Sequence, residues 1–199
     1  MRYSDTHKQE TRKKVVKAAA KAVRLRGPEG VGVAEIMAEA GLTHGGFYAH
    51  FPSKEALVAA AIEEAFRASA QRFEKLTEGL DAPAALAAFA DAYVTPEHRA
   101  HPERGCPIAA LSSDLPRQGP QVRAAYEAGV RGLIRRIAGW LPTQEPDRES
   151  LAASLVAEMA GAVALSRAMS DAAAAGRWLA DARARIKSRM GFDAAGSQS

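Results

Sequence analysis

Residues 32–51 read GVAEIMAEAGLTHGGFYAHF and are followed at residues 52–57 by PSKEAL. Two short helices are predicted here, Val33 to Ala40 and Thr43 to Phe51, parted by Gly41-Leu42. Glycine tolerates the positive φ of a tight turn between helices, and Thr43 has the side chain of a helix N-cap. Helices this short cannot bury a core by themselves. They need a third wall, and a pair braced by a preceding helix is the plan of a helix-turn-helix unit.

The chain before the motif supplies that wall. From about Thr6 to Arg26 the pattern is helical, with Val15, Ala18, Ala22 and Leu25 at spacings of three and four. Lys14, Lys17, Lys21 and Arg24 repeat at the same spacings one step away, so an apolar stripe is flanked by a basic one. Gly27-Pro28 ends the helix, since glycine suits the left-handed cap and proline cannot continue.

Behind the motif, Ser53 is the expected N-cap of a long helix. Val58, Ile62, Phe66, Ser69 and Phe73 form its stripe, and Gly79 stops it after Glu78. At about 1.5 Å per residue it is roughly 40 Å long, enough to join two parts of the molecule. Further helices are expected over Pro83–Val94, Cys106–Leu115, Pro120–Leu141, Asp147–Ser170 and Asp171–Met190. The stretch holding Pro96, His98, His101 and Pro102 is expected as a loop, with Pro116, Gly119, Pro142 and Pro146 at other breaks.

Composition agrees with an all-α chain. Of 199 residues 47% are hydrophobic, with alanine by far the commonest of them, and only 6% are aromatic, which suits close helix packing better than sheet. No strand pattern, repeat or secretory leader is evident, and no apolar run is read as approaching a membrane span, so a cytoplasmic protein without membrane contact is expected. Charge is uneven. Residues 1–54 carry ten Lys/Arg against five acids, a balance of +5, while the rest carry 17 against 18, a balance of −1. Excess positive charge on one quarter of the chain suits binding to phosphates.

Residues 32–57, in their order of apolar, glycine, aromatic and Pro-Ser-Lys positions, closely resemble the DNA-binding signature of the TetR family of transcriptional repressors. The resemblance implies a three-helix DNA-binding domain over residues 1–52 (motif 32–51). An effector-binding and dimerisation domain would cover 53–190, with a flexible tail at 191–199. A helix entering the major groove by its N-terminal end would offer the Thr43 hydroxyl, the His44 ring and the Gly45 and Gly46 backbones, where glycines permit close approach to the duplex. By resemblance, Thr43, His44 and Gly45 belong to the groove and Tyr48, His50 and Lys54 to the DNA backbone. Phe47 and Phe51 are expected in the core. The chain departs from the family at Val31-Gly32, where many members carry Thr or Ser, and at His44, where Lys is frequent.

The resemblance further implies that the last two long helices pair with those of a second subunit. Ala160, Gly161, Ala162 and Ala164, lying among Leu155, Met159, Val163 and Leu165, suit such close approach, although they suit a monomer core too. A pocket for an unknown small-molecule effector is expected among the long helix and those after it, with Phe66, Phe89, Tyr93, Cys106, Tyr126 and Met169 as candidate wall residues. Cys106, the single cysteine, precedes Pro107 and so sits near a helix start, where the helix dipole and Arg104 favour thiolate. Its Gly-Cys-Pro setting is similar to a segment of a TetR subgroup that includes sensors of electrophiles and oxidants.

An enzyme is not expected: no phosphate loop, nucleophile elbow or metal-ligand spacing is present, and no cofactor or metal is implied. A helical protein-interaction module is the alternative reading, and it leaves the basic first helix and the glycine-bearing short helix unexplained.

Overall fold

The computed structural model describes residues 2–142 and 147–190, with side chains from residue 6 onward. Every regular element among the described residues is helical. They are α1 (Arg2–Arg26), α2 (Val33–Glu39), a 3-10 helix (His44–Ala49), α3 (Lys54–Thr77), α4 (Ala82–Tyr93), α5 (Pro96–Ala100), α6 (Pro107–Leu111), α7 (Pro120–Ala138), α8 (Arg148–Arg167) and α9 (Ala172–Arg189), with short 3-10 turns at Pro102–Arg104 and Leu115–Arg117. The expected tail at 191–199 lies outside the described residues.

Local chemistry sets the ends of these elements. Gly27, Gly41 and Gly79 all have φ near +75°, where a Cβ would be strained, and each follows the last turn of a helix. Ser53 Oγ accepts from the Ala56 amide at 3.1 Å, opening α3 as a capping residue should. Asp81 and Asp171 cap α4 and α9 in the same way.

By packing, the chain divides into two units. Met1–Ser69 joins Pro102–Gly129, and Ala70–His101 joins Val130–Ser199, so the divisions fall inside α3 and inside α7.

In the first unit the core is built from Val15, Val16, Ala19, Ala22 and Val23 of α1, Ile36 and Met37 of α2, Phe47, Phe51, and Leu57, Val58, Ala61 and Ile62 of α3. Leu111, Leu115 and Val122 complete it from the later segment. The buried face of α1 is turned from the expected stripe: Leu25 is 55% exposed and Ala18 half-buried, whereas Val16 and Val23 are inside. Val15, Val16, Ala19, Ala22 and Val23 share one helical face, and it places all three valines inward. Lys14, Lys17 and Lys21 of the basic stripe are exposed, whereas Arg24, its fourth member, is half-buried.

In the second unit, Phe73, Leu86, Phe89, Tyr93, Ile137, Leu155, Met159, Val163, Leu179 and Ile186 are buried. The expected loop around His98 is instead helix α5. Thr95 Oγ1 accepts from the His98 amide at 3.0 Å and Pro96 stands in the first turn, where its missing N–H is no loss. Arg99 donates to the carbonyls of Ser166 and Met169, both at 2.9 Å, and Arg167 donates to His98 O at 2.8 Å, lacing α5 to the end of α8.

α8 departs from the expectation of no span-like run. It is long and apolar enough by length and composition to cross a membrane. Its Leu155, Val156, Met159, Ala162 and Val163 are buried against neighbouring helices, and Glu158 pairs with Arg189 at 2.6 Å, as in a core helix.

Candidate nucleic-acid interface

The stretch expected to read DNA is a 3-10 helix rather than an α-helix. Gly45 and Gly46 each weaken an α-helix by about 1 kcal/mol relative to Ala, and a segment of six residues has little else to offset that. Thr43 precedes it in extended conformation, and its side chain makes no capping hydrogen bond. Thr43, His44 and Gly45 are exposed.

Gly45 has no internal reason to be glycine. Its φ is not positive, and a Cβ built there meets nothing within 4 Å. Gly46 is held closer, with Met37 Cε 3.7 Å from the corresponding position.

Adjacent aromatics have opposite fates. Phe47 and Phe51 are 2% and 1% exposed, and their rings stack with centroids 5.8 Å apart. Tyr48 is 74% exposed, its ring in a T-shaped contact with that of Phe47 at 5.1 Å. The Arg12 guanidinium of α1 lies 4.9 Å over the Phe51 ring, so a cation of the first helix also braces the motif. That brace has no signature in the sequence, because 39 residues separate the two positions.

His50 ends the 3-10 helix with its amide on Phe47 O at 2.9 Å. Its ring is half-buried, and Nδ1 has no hydrogen-bond partner among the described residues. Lys54, exposed at the start of α3, reaches Glu29 O at 3.5 Å.

The candidate effector residues divide between the packing units. Phe66, Cys106 and Tyr126 are in the first. The Phe66 and Tyr126 rings meet edge to face at 5.7 Å, and Ser112 Oγ and Tyr126 Oη share a hydrogen bond of 2.7 Å. Burial pushes the Tyr126 hydroxyl above its usual pKa; the bond to Ser112 works against that rise and the nearby Cys106 thiol adds to it. Cys106 is 2% exposed at the N-cap of α6.

Phe89, Tyr93 and Met169 are in the second unit. Phe89 packs 4.4 Å from Phe73, 5.5 Å from Tyr93 and 5.7 Å from Trp140, a closed aromatic cluster. His98 meets the Tyr93 ring edge on and donates from Nδ1 to Tyr93 O at 2.7 Å. Burial lowers the His98 pKa to about 4; the Tyr93 carbonyl opposes the shift, and the Arg167 and Arg72 charges reinforce it.

Comparison with known proteins gives one consistent picture. Residues 15–61 match the model of "Bacterial regulatory proteins, tetR family", and residues 82–181 match that of "Tetracyclin repressor-like, C-terminal domain". An uncharacterized HTH-type transcriptional regulator of Bacillus subtilis (strain 168), YdgC, is 42% identical over 71 residues, 36% of this chain and 34% of that relative's own length. Among solved structures, a TetR transcriptional regulator from Chloroflexus aurantiacus is 29% identical with a TM-score of 0.76, covering 94% of this chain and 96% of that one. The reduced form of E. coli NemR is 22% identical, also with a TM-score of 0.76, over 90% of this chain and 96% of that one.

Proposed function

The chain belongs to the TetR family of bacterial regulatory proteins, and on that premise we propose that this transcriptional regulator is a repressor that binds a palindromic operator as a homodimer. Residues 1–52 bind DNA in the cytoplasm and residues 53–190 pair the subunits and receive a small-molecule or thiol-reactive effector that releases the operator.

One observation carries the reading. Tyr48, a large aromatic left 74% exposed, stands beside exposed Thr43, His44 and Gly45 on a short element anchored from behind by Phe47 and Phe51. An aromatic hydroxyl in that position suits a phosphate oxygen, and a glycine that the protein's own packing does not demand suits the close approach of a duplex. His44 and the Thr43 hydroxyl are left for base edges, with His50 and Lys54 near the phosphates. Pairing of subunits is supported by Leu165 on α8 and Trp178 on α9, 59% and 43% exposed, and by Gly161, beside which 4 Å of space is open.

Effector release has two forms. A non-covalent ligand would enter near Phe66 and Tyr126. A thiol-reactive one, such as an enone, would open its C=C bond to form a bond from its β-carbon to Cys106 Sγ, with the thiol proton passing to its α-carbon. It would add bulk at the start of α6, where 2% exposure leaves no room for it.

Selection of duplexes from a random pool, followed by band-shift assays, tests the DNA reading. A two-fold symmetric sequence bound by the wild type, with weaker binding by Tyr48→Ala, is expected. No selected sequence would leave the helical interaction module as the better account. Operator binding by wild type and Cys106→Ser, before and after a mild electrophile or peroxide, tests the thiol route; identical responses would leave a non-covalent effector.

A further inference from the structure

The reading element does not rest on its own small core alone. Within the first packing unit, residues 105–118, from a distant part of the chain, touch the end of α1 and the turn that follows it. Arg24, near the end of α1, donates from Nη1 to Gly105 O at 3.1 Å while its Nε holds Ala20 O at 3.0 Å. Gln118 Nε2 donates to Glu29 Oε1 at 2.9 Å. Asp114 lies over Gly27 so closely that a Cβ there would come within 3.2 Å of Oδ2. These contacts all land on the end of α1 and the turn that leads into α2.

We propose that Glu29 and Arg24 are positioning residues for DNA binding, fixing the orientation of the reading element by tying the turn between α1 and α2 to residues 105–118. The inference rests on the DNA-binding reading above. The tie sets the direction of the element without touching the duplex. Loosened, the element keeps its fold but spreads over a range of orientations. Only some of those place two reading elements at the separation a symmetric site demands, so apparent affinity falls with the competent fraction. Binding to a single half-site has no separation to satisfy and is spared.

The Gly105 carbonyl belongs to the peptide that joins residue 105 to Cys106. Any displacement of that peptide therefore acts directly on Arg24 and hence on α1. A route from the later segment to the reading element is thus present that does not pass along α3.

Glu29 offers a test in which two explanations predict opposite signs. It is an exposed acid in the part of the chain that carries the positive excess. If only its charge matters, Glu29→Ala removes a repulsion from phosphate and tightens binding. If the tie matters, Glu29→Ala weakens it.

The probes are the duplex selected by the wild type, used whole and cut to one half, with Gln118→Ala as a second variant should Glu29→Ala fold poorly. For Glu29→Ala and Gln118→Ala, a loss of roughly threefold to tenfold on the whole duplex and none on the half is expected. Glu29→Gln keeps an oxygen acceptor for Gln118 and should bind as the wild type does. Hydrogen exchange of the free protein supplies a readout independent of DNA. Amides of residues 112–119 should exchange faster in Glu29→Ala, and those of 36–49 should not. Tighter or unchanged binding to the whole duplex, equal losses on whole and half, or unchanged exchange at 112–119 would each overturn the proposal. If the wild type selects no duplex, the DNA reading fails and the positioning role for DNA falls with it, while the exchange result still reports whether the tie restrains residues 112–119.

Discussion

The ring of Phe66 occupies the space that a side chain at Gly129 would need. A Cβ on residue 129 would fall on Cδ2, Cγ and Cε2 of that ring, so α3 and α7 approach as closely as they do because one partner has no side chain. Gly129→Ala should therefore destabilise the protein by about 1–3 kcal/mol through overpacking, against the helix preference that favours Ala. Chemical denaturation measures it. Phe66→Leu combined with Gly129→Ala should recover part of the loss, and additive losses would show that the two positions do not compete for space.

Tyr48 and Phe47 are neighbours whose substitution should separate function from stability. Tyr48→Ala removes an exposed ring and should change unfolding free energy by no more than about 0.5 kcal/mol while weakening binding to every duplex sequence. Phe47→Ala empties a core site and should cost about 3–5 kcal/mol. Urea titrations beside band-shift assays give both quantities.

His98 predicts a pH dependence. In the unfolded chain its ring titrates near 6.5, and in the folded protein near 4. Between those values the unfolded chain holds more protons, so unfolding free energy falls as pH drops from about 6.5 toward 4. The total is on the order of 3 kcal/mol. Carboxylates titrate in the lower part of the same range, so the comparison is with His98→Gln, whose stability should fall less steeply with acidification. Parallel curves would mean that His98 titrates in the folded protein as it does unfolded.

Cys106 should be slow to meet bulky reagents. With 2% of its surface exposed, labelling by a large maleimide requires local opening of the segment around α6. Labelling of the native protein should be slow and should become immediate in denaturant. Immediate labelling without denaturant would show that the α6 segment opens freely.

Helix ends were legible in the sequence wherever one residue decides them. Gly27, Gly41 and Gly79 take the positive φ that only glycine accepts readily, and Ser53 caps the helix it precedes. Proline is ambiguous: it breaks a helix in most settings, yet Pro96, behind a Thr95 cap, starts α5. The family resemblance, rather than periodicity, separates the buried Phe47 from its exposed neighbour Tyr48. Periodicity could not give the face of α1 either, where alanines and valines recur on several registers.

Associations between distant segments were not legible at all. Glu29 meets Gln118 across 89 positions, and nothing local distinguishes that glutamine from any other polar residue of a loop. The candidate effector residues show the same limit. Phe89 and Tyr93 have the spacing of a buried face, and spacing did not foretell that Phe89 packs on Phe73 and Trp140.

If residues 44–49 read DNA as proposed, their 3-10 form limits how much genetic text one subunit can read. Six residues at about 2.0 Å each give a rod of about 12 Å, which spans about four base-pair steps of roughly 3.4 Å. In the proposed homodimer two such rods would specify about eight base pairs, a word that recurs by chance on the order of once in 10⁵ positions, whereas a genome offers on the order of 10⁶ or more competing sites. Base contacts alone would thus leave the regulator scattered over many accidental addresses. On that reading a fixed distance between the two words, and the bendability of the uncontacted DNA separating them, would supply the remaining discrimination.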